Sequence, residues 1–175
     1  CFDADATVVV FHVDMRSGRL NGNCSEVDPY SHTTPAPGKA VFFTGGVHED
    51  TPVCGDDGAA DCVTEAEIDA ANSLLGDWEP NRIAMNDDGT HGDVQANDGV
   101  WTLVVTLPYI QPPALGGGTA ESGWAGVRLG YKYTFGQAGS GWTDSEEWPG
   151  NRRLLELLDL NGDHLVTRYD VFGDE

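Results

Sequence analysis

Two aspartate-rich stretches, Asp87–Asp98 (DDGTHGDVQAND) and Asp159–Asp170 (DLNGDHLVTRYD), carry the side chains best suited to chemistry. Their carboxylates recur at the short intervals that hard cations need. Ca²⁺ takes roughly 6–8 oxygens, and a loop supplies them by setting a carboxylate, carboxamide or backbone carbonyl at every second residue. In the second stretch Asp159, Asn161, Asp163, Leu165 (through its carbonyl), Thr167 and Asp170 fall on that spacing. The position where such a loop turns on Gly with positive φ is His164, a residue that tolerates this conformation at some cost. A plain polar turn through Asn-Gly-Asp is the competing reading. In the first stretch Asp87, Asp88, Asp93 and Asp98 alternate with Gly89, Gly92 and Gly99, so four carboxylates can fold inward on a flexible backbone. Uncompensated, such charges repel one another or hold a carboxyl protonated. The expectation is a hairpin loop closed by Ca²⁺.

Catalytic patterns are missing. The sequence has no Gly-x-Ser-x-Gly elbow, no His-Glu-x-x-His and no nucleotide loop. His12, His32, His48, His91 and His164 stand singly. The expectation is a protein that is not an enzyme. Four cysteines suit an oxidising, extracellular or cell-surface setting. Cys54 and Cys62 flank a short acidic turn and pair most simply with each other, leaving Cys1 for Cys24; other connectivities remain open. Zinc at Cys54 and Cys62 is disfavoured by their spacing. Cys1 also fits a processed lipoprotein, which would leave Cys24 unpaired.

The chain of 175 residues has 29 acids against 9 bases, a net charge of −20. Nucleic acid is excluded as a partner, because neutralising phosphate takes Lys and Arg. Of the acids 19 are Asp and 10 Glu, which favours loops and ligands over charged helix faces. With 39% hydrophobic residues and five Trp, the composition is that of a folded domain. The longest apolar run, Val8–Phe11, is far too short to span a membrane.

These loops need a frame. Thr7–Met15 and Lys39–Gly45 read as strands, as do Asn81–Asn86, Val100–Leu107, Val127–Phe135 and Arg153–Leu158. Residues 16–38, 108–123 and 136–151 read as long loops, the last rich in Trp. Residues 46–76 look like an insertion of a disulfide turn and one helix. Thr64 and Glu67 form its capping box, and Ile68, Ala71, Leu74 and Leu75 share a face. Short strands between turn signals predict an all-β sandwich. The expectation is one domain over residues 1–175 with a calcium-loop tail at 159–175.

In order along the chain, TVVVFHVDM, KAVFFTG, LGDWEP, RIAMNDDG…DGVWTLVVTLP and GYKYTF…GWTDSEEWPGNRRLLEL resemble the starch- and glycogen-binding type of Ig-like module. The C-terminal acidic stretch is similar to an EF-hand or dockerin calcium loop. The first resemblance covers most of the chain outside the 16–38 loop, the 46–75 insertion and the acidic tail. It implies an immunoglobulin-like β-sandwich that binds α-glucans without cleaving them. It further implies Trp142 or Trp148 as the sugar-stacking indole, with Lys132 and Asn151 as polar contacts. The pattern departs at Trp148-Pro-Gly-Asn151, which is shorter than the family's. Trp78 and Trp101 read as packing residues.

Taken together, the sequence predicts a secreted, calcium-binding β-sandwich that self-associates as a structural subunit of an extracellular assembly or filament, through strand exchange. Glycan binding is the alternative.

Overall fold

The computed structural model describes residues 6–16, 40–51, 53, 63–108, 127–142, 151–157 and 163–173. The strands among them are β1 (Ala6–Asp14), β2 (Ala40–Val47), β3 (Ile83–Ala84), β4 (Val100–Pro108), β5 (Arg128–Gly136), β6 (Arg153–Glu156) and β7 (Leu165–Val171). One helix, α1 (Glu65–Leu75), joins them. The strands form two sheets, ordered β4-β1-β7 and β3-β2-β5-β6. The fold is an all-β sandwich with a single short helix among the described residues, as the strand and turn pattern predicts.

Alternation sets the faces. In β1 the side chains of Val9, Phe11 and Val13 are fully buried, while Val8 and Val10 on the other face are partly exposed. Phe11 meets Phe43 of β2 at 4.5 Å and Tyr131 of β5 at 5.0 Å between ring centroids, so the two sheets join through aromatics. Burying each such ring stabilises the sandwich by about 1.5–3 kcal/mol.

The helix is stapled where its residues say it should be. Glu67 N–H donates to the Thr64 side chain, and the Glu67 carboxylate accepts from the Thr64 N–H, closing the capping box. Gly76 ends the helix at φ 91°. Ala71 and Leu75 are buried and Ile68 packs on the core, but Leu74, expected on that face, is 45% exposed. The helix packs along β2 and also meets β4 of the other sheet, and its Asn72 Oδ1 accepts from Val47 N–H at 2.7 Å.

Two expectations change. The Asn81–Asn86 strand is shorter and changes sheets. Ile83 and Ala84 pair with β2, and Asn86 then bridges to Thr102 of β4. That crossing delivers the first acidic loop onto the first sheet. The larger change is C-terminal. Residues 165–171, within the expected calcium-loop tail, form β7, which pairs parallel with β1 from Val8↔Leu165 to Asp14↔Val171. The cause is tertiary. A hydrophobic β1 paired only with β4 would leave its other edge open, and the β-branched LVTRYDV run closes it. It follows that β1 has partners from its own chain on both sides.

Candidate metal centre

The 87–98 loop begins where Asn86 has crossed to the first sheet and ends at β4. Left-handed backbone at Gly89, His91, Gly92, Asn97 and Gly99 coils it. Gly92 is required for a close approach: a side chain there would collide with Val104 Cγ2 of β4. Within the coil, backbone amides are spent on carboxylates. Asp87 accepts from Asp98 N–H at 3.1 Å and Gly99 N–H at 3.3 Å, and Asp93 accepts from Gly89 N–H at 2.7 Å. Asp98 accepts from Val100 N–H at 2.9 Å.

The result is a convergence of Asp87, Asp93 and Asp98, whose ligand oxygens lie within 4.8 Å of one another, two of the residues buried and one half-buried. Unit charges at that spacing repel by roughly 3 kcal/mol per pair at an effective dielectric of about 20. Amide dipoles offset part of this; a divalent cation would offset more. Three carboxylates give a hard, oxygen-only donor set, and backbone carbonyls and water would complete it. Asp88, expected with them, turns away. It is exposed, accepts from Thr90 N–H and Oγ1 at 2.9 and 2.6 Å, and the Thr90 hydroxyl bond holds its carboxyl below the usual range.

The loop also approaches β1. His12 is 6% exposed, its Nδ1 lies 2.9 Å from Thr102 Oγ1, and its ring stacks on Tyr169 of β7 at 4.2 Å. Burial lowers the His12 pKa, and the nearby Asp93 charge opposes that shift.

Of the second expected calcium set, Asp163 and Asp170 stand apart. Asp159 and Asn161 lie outside the described residues. Asp163 is exposed, accepts from Leu165 N–H at 3.0 Å, and precedes His164 at φ 59°, so the positive-φ turn is there. From Leu165 onward the chain is extended, which sends Asp170 inward with Val166 and Phe172. Its carboxylate accepts from the Tyr131 and Tyr133 hydroxyls at 2.8 and 2.9 Å, and pairs with Arg168 Nε at 2.9 Å and Arg153 Nη1 at 3.4 Å. It is a buried tie between the sheets and does not face the Asp163 turn. Burial, with the Asp170 charge second, raises the Tyr131 pKa.

Of the sugar-contact residues, Lys132 is 7% exposed and its Nζ lies 5.7 Å from the Trp142 ring centroid. Asn151 is exposed just before β6, and Trp148 lies outside the described residues, as do Cys1, Cys24, Cys54 and Cys62. Trp101 is in the core. Trp78 is half-buried over the outer side of the second sheet, where Gly46 and Gly130 make room for its ring. Sequence reasoning missed the Asp170 tie and the His12–Tyr169 stack. Both join residues far apart in the chain; only the period-2 alternation of 165–171 hinted at them.

No family model matches this chain, and no curated protein matches it. Among solved structures, it is similar to a Glycoside Hydrolase Family 15 Glucoamylase from Hypocrea jecorina, at 16% identity and a TM-score of 0.47. The likeness covers 96% of this chain and 17% of that one, so the chain spans under a fifth of the enzyme. Likeness at this level says nothing about activity. Among the described residues no helix is long and apolar enough to cross a membrane.

Proposed function

We propose that this chain is a non-catalytic, extracellular, calcium-binding Ig-like β-sandwich that serves as a subunit of a surface assembly. The observation that carries the reading is the convergence of Asp87, Asp93 and Asp98 at the point where the chain passes from one sheet to the other. A cation there would fix the crossing and remove part of a −20 charge that otherwise keeps copies apart. The outward face of the first sheet supports association, with Val104, Leu165 and Tyr169 39%, 38% and 68% exposed beside Val8 and Val10. Strand exchange fits the edge strand β7 better than β1, which is paired on both sides.

Light scattering in millimolar calcium and after chelation tests this, read beside calorimetric titration of calcium. Wild type should bind calcium and form particles that chelation disperses. Asp93→Asn should weaken binding at least tenfold, and Asp88→Asn should change it less than about twofold, since Asp88 faces solvent. No calcium binding, or equal losses in both variants, would refute the reading.

The approach of Lys132 to Trp142 favours a second reading, binding of a neutral α-glucan. Trp142→Ala should then abolish retention on immobilised starch.

A further inference from the structure

At the end of the first sheet remote from Ala6, a cleft of about 450 Å³ opens between the ends of β1 and β7, the start of β4 and β6. Three of the chain's nine basic residues line it: Arg16, Arg153 and Arg168. Arg16 spends Nε and Nη2 on Asp14, at 2.9 and 2.6 Å, and Arg168 spends Nε on Asp170. A guanidinium carries more N–H donors than these contacts use. Both side chains reach water, at 52% and 41% exposure. Tyr169, on the outward face of the sheet, also lines the cleft, 68% exposed and with one ring face held flat against His12.

We propose that this cleft binds a saccharide bearing a carboxylate, a uronate-type sugar. The open face of Tyr169 would take the apolar face of a pyranose. The remaining guanidinium donors of Arg16 would take the carboxylate, because Arg presents a fork that matches it. Asp14, whose side chain is 27% exposed, would accept from sugar hydroxyls. The chain's net charge disfavours a densely acidic peptide, whereas one carboxylate on a ring meets local positive charge. This site shares no side chain with the Lys132–Trp142 pair or the Asp87–Asp93–Asp98 cluster.

The test is calorimetric titration of the whole chain with a disaccharide ending in glucuronate, its methyl ester, and an oligoglutamate peptide. Chelator is present throughout, so that no carboxylate binds through calcium. The acid should bind saturably and the ester roughly tenfold or more weakly, since a charge-assisted contact is lost. Arg16→Met and Tyr169→Ala should each cost a similar factor, with thermal unfolding unchanged in Arg16→Met, whose side chain is more than half exposed, and both variants still folded at the titration temperature. Absence of saturable binding, equal binding of acid and ester, tighter binding of the peptide, or wild-type affinity in both variants would overturn the proposal.

Discussion

At the residue scale, the same side chain, aspartate, does three different jobs. Asp93 helps build a charge concentration, Asp88 caps a turn, and Asp170 ties two sheets. What separates them is burial and the company of donors. Asp170 lies among Tyr131, Tyr133, Arg153 and Arg168, so Asp170→Ala removes the buried carboxylate that two tyrosine hydroxyls and a guanidinium share. The expected cost is about 3–5 kcal/mol, read by chemical denaturation. Tyr131 supplies the pH dependence. Its pKa is raised in the fold, so the unfolded chain loses the proton first as pH climbs. Stability from this group is complete below the ordinary value of 10.0 and falls as pH rises above it. Tyr131→Phe should flatten that alkaline loss, measured as unfolding free energy between neutral and alkaline pH. An equally steep loss in the variant would remove Tyr131 as its cause.

At the element scale, small residues decide what docks on the second sheet. An added Cβ at Gly130 would stand 3.1 Å from Trp78, and one at Gly46 2.8 Å from Asn72. These two residues seat the Trp78 turn and α1 on β2 and β5. Gly130→Val should therefore expel the Trp78 ring, visible as red-shifted fluorescence, and destabilise by about 1–3 kcal/mol. An unshifted spectrum would mean that the turn relaxes without losing its seat. The helix itself was legible, since Thr64 and Glu67 carry their own instructions in a local hydrogen-bond pattern. β7 was not, because Asp159-x-Asn161-x-Asp163 dominates the reading of a segment whose second half alternates as a strand.

At the scale of the whole molecule, net charge governs both stability and association. A net −20 repels copies of the chain and strains the compact state, and added salt screens this only through the general ionic atmosphere. A specific cation acts differently: at about 100 times its Kd it stabilises the fold by about 2.7 kcal/mol. Calcium should therefore raise the midpoint of thermal unfolding well beyond sodium chloride of equal ionic strength, and Asp93→Asn should erase the difference. Equal effects of the two salts would reduce the cluster to ordinary surface charge. By itself the sequence determined the sandwich class, most strands, the capped helix and the Asp87–Asp98 loop, because alternation, capping and turn chemistry act between near neighbours. Only the tertiary structure decided that 165–171 closes the edge of β1 and that Asp170 meets Tyr131. Those outcomes depend on which distant groups share a sheet, and strand pairing is settled by burial across the molecule, which local spacing does not encode.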